Sequence, residues 1–367
     1  MPAVIIRKLS LSCLLCLSWF SQADAADAPE PASIQRFIAV DNVCSWPNLT
    51  QLRDGTIVSI IHNRPSHGQM EGDVECWASK GGALWEKRGN PAPNKPDTVR
   101  MNVAAGLAGN GDLIVLCSGW TNEKQPERPK QAAFRDGILN VQVCRSSDGG
   151  RTWTRRAEFP DNKPGWSPFI PFGDIVPAPD GSVRVSCYAG KLKEPAKSYK
   201  TAGWESTYFR SDDDGWTWKK VSTIGPKHNE TTILHLDGRS WMAANRIDAM
   251  ELYRSDDDGA TWQGPQRVTG RNEINGHLLR LKDGRLLLSY GNRVAVGQWG
   301  VLAKFSADEG KTWSKPVRLI HSLERDCGYP SSVQRADGKI VTAYYSKSVA
   351  GHNRYHMGVA LWEAPAQ

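Results

Sequence analysis

The chain has 367 residues, 40% hydrophobic and 23% charged, with 46 Lys and Arg against 39 Asp and Glu and a net charge of +7. This is the balance of an ordinary soluble globular protein, and the absence of Lys/Arg blocks interleaved with aromatics argues against nucleic acid as a partner. Fifteen Trp and 34 Gly, with few long leucine-rich amphipathic stretches, point to an all-β repeat protein in which aromatics wedge sheets together and glycines serve the turns.

From the N-terminus, Arg7 and Lys8, the apolar run Leu9 to Phe20 and the small-residue stretch Ala23-Asp24-Ala25 read as a secretory leader over residues 1–25. The run is short for a bilayer span, and no later segment reaches transmembrane length, so the mature protein is expected to be secreted or periplasmic. Cys13 and Cys16 belong to the leader. The other six cysteines, at 44, 76, 117, 144, 187 and 327, show neither CxxC nor Cys/His metal spacing. With no nucleotide motif either, neither metal nor cofactor is expected. An oxidising compartment would permit pairing among the cysteines in a connectivity their spacing does not reveal.

One pattern then recurs: Ser146-Ser-Asp148-Gly-Gly150-Arg-Thr152-Trp153, Ser211-Asp-Asp213-Asp-Gly215-Trp-Thr217-Trp218, Ser255-Asp-Asp257-Asp-Gly259-Ala-Thr261-Trp262 and Ser306-Ala-Asp308-Glu-Gly310-Lys-Thr312-Trp313, with a worn copy from Ser79 to Trp85. This is the chemistry of a hairpin tip. The Asp side chain caps backbone N–H groups of its own turn, Gly allows positive φ, and Thr-Trp restarts a strand. Between these tips runs a second repeat of strand, Asx-Gly turn and strand, at Asp54-Gly55, Asn110-Gly111, Asp180-Gly181, Asp237-Gly238, Asp283-Gly284 and Asp337-Gly338. Six copies of one four-strand unit are implied. The last unit ends at Trp362 without an outer strand, which Ile34 to Val40 would supply.

The first repeat resembles the Asp-box of sialidase-like proteins. That resemblance implies a six-bladed β-propeller over residues 34–364, closed by the N-terminal strand, with the boxes structural rather than catalytic. In such a fold both kinds of turn share one face. The other face collects the residues before each first strand and after each second strand. The starts are Ser45-Trp46-Pro47, Arg100 to Asn102, Asp174, Asn229-Glu230, Gly276-His277 and Tyr329-Pro330; the ends are Asn63-Arg64, Trp120, Tyr188, Asn245-Arg246, Asn292-Arg293 and Tyr345.

Here the resemblance implies roles. Asn229-Glu230 with Asn245-Arg246 is similar to the sialidase segment carrying the catalytic glutamate and a carboxylate-binding arginine. Gly328-Tyr329 resembles the segment of the nucleophilic tyrosine, Asn292-Arg293 that of another arginine, and Arg64 followed by Glu71 and Asp73 the loop of the general acid. A sialoside carries a carboxylate on its anomeric carbon, so a neutral tyrosine avoids the repulsion a carboxylate nucleophile would meet. Tyr329 would attack, Glu230 would take its proton, and Glu71 or Asp73 would protonate the leaving oxygen. Arg246 and Arg293 would hold the acid group, with Arg64 or Arg100 as a further cation, and Asp174, His277 and Trp120 would complete the sugar site.

The pattern departs from the family at two coupled places. Ser45 stands where sialidases have an arginine, and Tyr345 where they have the glutamate that orients it. An unpaired buried charge is costly, so joint loss indicates a pocket rebuilt as a unit. The expected protein is a monomeric exo-glycosidase acting on a glycan or oligosaccharide end, that end being sialic acid or another sugar. A non-catalytic glycan-binding propeller, or a lyase or hydrolase using His277, are the other readings.

Overall fold

A computed structural model describes residues 28–122, 137–156, 159–193 and 201–366. The leader expected over residues 1–25 lies outside the described residues. Among those described there is no helix long and apolar enough to cross a membrane, and the regular elements are strands. Strand β1 (Ile34–Asp41) is followed by five antiparallel groups of four and a final group of three. These are β2–β5 (Asn48–Gln51, Ile57–His62, Val74–Ser79, Glu86–Ala92) and β6–β9 (Thr98–Leu107, Leu113–Thr121, Gly137–Ser146, Thr154–Arg156). Next come β10–β13 (Ile170–Pro177, Val183–Leu192, Thr201–Ser211, Lys219–Pro226) and β14–β17 (Thr231–Asp237, Ser240–Arg246, Met250–Ser255, Gln263–Arg267). The last are β18–β21 (Glu273–Arg280, Leu286–Asn292, Gly300–Ser306, Val317–His321) and β22–β24 (Cys327–Gln334, Ile340–Ser346, His356–Trp362).

The N-terminal strand pairs antiparallel with the final one, Ile34 opposite Trp362 and Asp41 opposite His356, so the sixth group also has four strands. The second and third groups merge, because β6 and β10 pair in parallel at Ala104–Gly173 and Ala105–Asp174. First strands lie against one another in the order β2, β6, β10, β14, β18, β22 and back to β2.

Burial explains the strand sequences. Strands β3, β7, β19 and β23 are buried throughout, and β3 and β19 read Ile-Val-Ser-Ile-Ile-His and Leu-Leu-Leu-Ser-Tyr-Gly-Asn. A strand covered on both faces loses the polar alternation that β17, exposed throughout, can keep. Apolar clusters fill the spaces between successive sheets. One joins Val58, Ile60 and Val74 to Val103, Val115 and Trp153, and another joins Leu49, Ile57 and Ile61 of the first group to Val341, Val359 and Leu361 of the last. Each Val, Leu or Ile wholly removed from water there contributes about 1.5–3 kcal/mol.

The recurring turns do what their residues dictate. In the first full box, Asp148 Oδ1 accepts the N–H groups of Arg151 and Thr152 at 2.9 Å, Oδ2 accepts Thr152 Oγ1 at 2.7 Å, and Trp153 Nε1 donates to Gly150 O. Asp213, Asp257 and Asp308 repeat the Thr contacts. The worn copy keeps Trp85 Nε1 to Gly82 O and lacks the carboxylate. Cys44, Cys76, Cys117, Cys144, Cys187 and Cys327 are buried free thiols, so no disulfide forms among the described residues.

Candidate active site

Four first strands share a local irregularity. Their pairing shifts register between Arg100 and Val103, Phe172 and Val176, Ile274 and His277, and Gly328 and Ser331, all at the end where the strand begins. A bulge inserts a residue and re-aims its side chain. These ends surround an open cavity lined by Trp46, Asn48, His67, Asn102, Trp120, Phe172, Tyr188, Glu230, His277 and Tyr329, among others. Its apolar floor continues into a cluster of Met70, Val99, Met101, Ile138 and Ile170.

Tyr329 sits on one bulge with φ 50, beside Trp46 at φ 40 and Asn275 at φ 61, conformations that non-glycine residues seldom adopt. Its hydroxyl donates to Glu230 Oε1 at 2.6 Å and accepts from Arg246 Nη1 at 3.0 Å. The second oxygen of Glu230 accepts from Arg246 and from Asn275 Nδ2, the latter at 2.8 Å. Burial, then the adjacent Glu230 carboxylate, push the phenol above its ordinary pKa, while Arg246 and Arg293 pull the other way. The Arg293 guanidinium lies 5.7 Å from the Tyr329 ring centroid. Glu230 just before β14, Arg246 of β15 and Tyr329 of β22 thus meet at one phenolic oxygen, with a proton acceptor and a cation both in contact with it. A weak acid in this setting can lose its proton to Glu230 as it forms a bond, with Arg246 opposing the charge left on oxygen.

Opposite stands a second polar set. His277 Nε2 meets Asp174 Oδ2 at 2.9 Å, Asn48 Nδ2 donates to Asp174 Oδ1 at 3.0 Å, and the Ser332 N–H donates to His277 Nδ1 at 3.3 Å. An Nδ1 that accepts leaves the ring proton on Nε2, directed at Asp174.

The remaining residues singled out in the sequence lie off the cavity wall. Arg293 donates to Cys327 O at 2.8 Å and to the Tyr345 hydroxyl at 2.7 Å. Arg64 is bonded to the main-chain carbonyl of Glu71, and Arg100 reaches Asn140 O at 3.4 Å. Glu71 is exposed, its carboxylate accepting from Asn94 Nδ2 and the Asp97 N–H. Asp73 accepts from Asn90 Nδ2 and the Asn94 N–H. Trp120, Glu230, His277 and Tyr329 line the cavity; Arg246 and Asp174 each touch a residue that does.

Sequence reasoning did not single out Asn275, Asn48, His67 or Asp326. Asn275 is the third donor on Tyr329's partner, and only the bulge at 274–277 turns it there. Asp326 accepts hydroxyls from Tyr345 and Tyr355, and Trp46 lies 5.8 Å from the Tyr345 ring, filling the place beside Ser45 with aromatic carbon. Among the described residues, one group of metal-ligating side chains converges here, Cys44, His67 and Asp326.

Comparison with known proteins agrees with this architecture. The BNR repeat-like domain matches residues 68–342. The sialidase of Micromonospora viridifaciens is 25% identical over 57% of this chain and 34% of its own, and that of Paraclostridium sordellii 23% identical over 54% and 51%. The aligned region therefore covers about a third and about half of those two proteins. Among solved structures, a Dyadobacter fermentans DSM 18053 protein of unknown function superposes with a TM-score of 0.76 at 20% identity, covering 92% of this chain and 99% of that one. Trypanosoma rangeli sialidase in complex with sialic acid gives 0.68 at 15% identity, covering 91% and 59%. Those two likenesses speak to the β-propeller-like fold alone. With three quarters of its length matched by the domain, this chain belongs to the sialidase-like BNR-repeat family.

Proposed function

We propose that this protein is an exported, exo-acting glycoside hydrolase of the sialidase-like type, a six-bladed propeller whose ring is closed by β1. The observation that carries the reading is the 2.6 Å bond from the Tyr329 hydroxyl to Glu230, with Arg246 in contact with both. Tyr329 attacks the anomeric carbon while Glu230 takes the phenolic proton, and the bond to the leaving oxygen breaks. That oxygen receives a proton from Glu71 or Asp73. The same acid then removes a proton from the water that cleaves the sugar–tyrosine bond, and Glu230 returns its proton to the phenolate. Arg246 holds the acid group of an acidic sugar, with Arg293 reaching it once it lets go of Tyr345; Asp174 takes a hydroxyl, Trp120 stacks on the ring, and Arg64 or Arg100 supplies a further cation. Since Glu71 and Asp73 lie off the cavity wall and His277 lines it, His277 is the second reading for the proton donor.

The test is release of a fluorophore from a 2-keto-acid sugar, followed by uronides and neutral glycosides. Turnover by the native chain, silenced in Tyr329→Phe and Glu230→Gln, is the expected result. Full activity in either variant removes that residue from the mechanism. Binding on a glycan array with no turnover of any sugar would put a glycan-binding propeller in the enzyme's place.

A further inference from the structure

We propose that Cys44, His67 and Asp326 bind a divalent transition-metal ion, zinc by the character of the ligands, at the edge of the cavity. The three come from separate stretches: Cys44 from the connection between β1 and β2, His67 from the β3–β4 loop, and Asp326 from the residue before β22. His67 Nδ1 stands 4.0 Å from Cys44 Sγ and 3.4 Å from Asp326 Oδ2, and the three ligand atoms lie within 4.8 Å of one another. Zinc bonds of about 2.0–2.3 Å in a tetrahedron place such atoms about 3.3–3.6 Å apart. The nitrogen and oxygen already have that spacing, while the sulfur, 4.0 Å from the nitrogen and within 4.8 Å of the oxygen, has to swing in about the Cys44 Cα–Cβ bond to close the set. One thiol, one imidazole and one carboxylate form the mixed soft and hard set that zinc accepts and that calcium or magnesium does not.

The surroundings are those of a held ligand set. Tyr345 donates to Oδ1 of Asp326 and Tyr355 to Oδ2, fixing the carboxylate while leaving Oδ2 a lone pair towards His67. The Trp46 ring packs at right angles to the His67 ring at 4.6 Å, so the imidazole cannot turn freely. Cys44 is fully buried, whereas His67 lines the cavity, which gives an ion there one side towards solvent. Binding replaces the thiol proton of Cys44 with the metal and frees Nδ1 of any proton, so protons leave as the ion enters. Thiolate and carboxylate together cancel the ion's two charges. Arg293 Nη2, 3.6 Å from Oδ1 on the carboxylate's other oxygen, therefore faces a neutral centre. The site lies beside Ser45 and Tyr345, where the family pattern is broken, and it stands independently of the glycosidase reading.

The test is direct binding. The full exported chain is treated with chelator and titrated with cobalt(II), following near-ultraviolet thiolate-to-metal absorption and visible bands of tetrahedral cobalt. Zinc content after dialysis is measured by elemental analysis. Expected are one saturable step and about one zinc per chain. Cys44→Ser should abolish the thiolate band, His67→Ala should abolish saturable binding, and Tyr355→Phe should weaken it about tenfold, since it removes a bond that only orients a ligand. Thermal melts confirm that the variants fold. Failure of the native chain to bind either metal saturably overturns the proposal without reference to any variant. A thiolate band unchanged in Cys44→Ser overturns it as well.

Discussion

At the scale of the residue, Tyr329 presents its hydroxyl to Glu230 because the backbone beneath it is bent out of the sheet. Gly328 at φ 114 precedes it, and a Cβ on Gly328 would come 3.1 Å from the Gly291 Cα. Gly328→Ala is therefore expected to cut turnover more than stability, measured as kcat beside the melting temperature, because strain here displaces the reacting oxygen. Glu230→Gln keeps the shape and loses the proton acceptor, so a drop of about 10²–10⁴ in kcat is expected under the proposed mechanism. Asn275→Ala removes a neutral donor to a carboxylate and leaves Arg246 in place; a fall of about tenfold in kcat/KM is expected. The positions of Glu230, Arg246 and Tyr329 on one face could be read in advance because each stands at the strand end away from a recognisable Asx-Gly turn. Asn275 was not, since its side chain is recruited by a bulge that no pattern in the sequence announces.

At the scale of the element, the Asp-box couples one carboxylate to a whole turn. Hydrogen bonds from the Thr261 and Thr312 hydroxyls, then from their N–H groups, lower the pKa of Asp257 and of Asp308 to about 2. A depressed folded-state pKa means that the stabilisation is complete above the ordinary carboxylate range near pH 4 and fades as pH falls towards about 2. Denaturant midpoints followed from pH 6 to pH 2 should therefore fall. In Asp308→Asn the midpoint should start lower and fall less, and an unchanged slope would contradict the assignment. The glycine of the box is equally constrained. At Gly259, φ is +80 and a Cβ would sit 2.1 Å from Cε1 of Tyr208, so Gly259→Ala should lower the melting temperature through both backbone strain and displaced packing. These boxes were readable from eight consecutive residues because the Ser, Asp and Thr hydrogen bonds that close each turn lie within it.

At the scale of the whole molecule, β1 is the element whose partner lies farthest away in sequence. It covers the edge of β24, and Phe37 and Val40 join the cluster between the last and first groups. A chain lacking residues 34–41 should melt at lower temperature and self-associate, because an uncovered β24 edge offers unpaired N–H and C=O groups; sedimentation at two protein concentrations checks this. That Ile34 to Val40 would lie beside the last unit was expected from its missing outer strand alone, and the register was not. The merging of the second and third groups through β6 and β10 was not, because parallel pairing between first strands carries no local signature. What the sequence by itself determined is everything encoded within a turn or a strand: the all-β class, six copies of one unit, the boxes, and the strand ends where polar side chains gather. What only the tertiary structure decided is how those ends meet, namely Arg293 turned to Tyr345, Arg64 to a carbonyl, and Cys44, His67 and Asp326 to one another. The reason is that these contacts depend on bulges, on loop conformation and on the relative placement of separate strands, and a displacement of an ångström, which changes no local pattern, makes or breaks them.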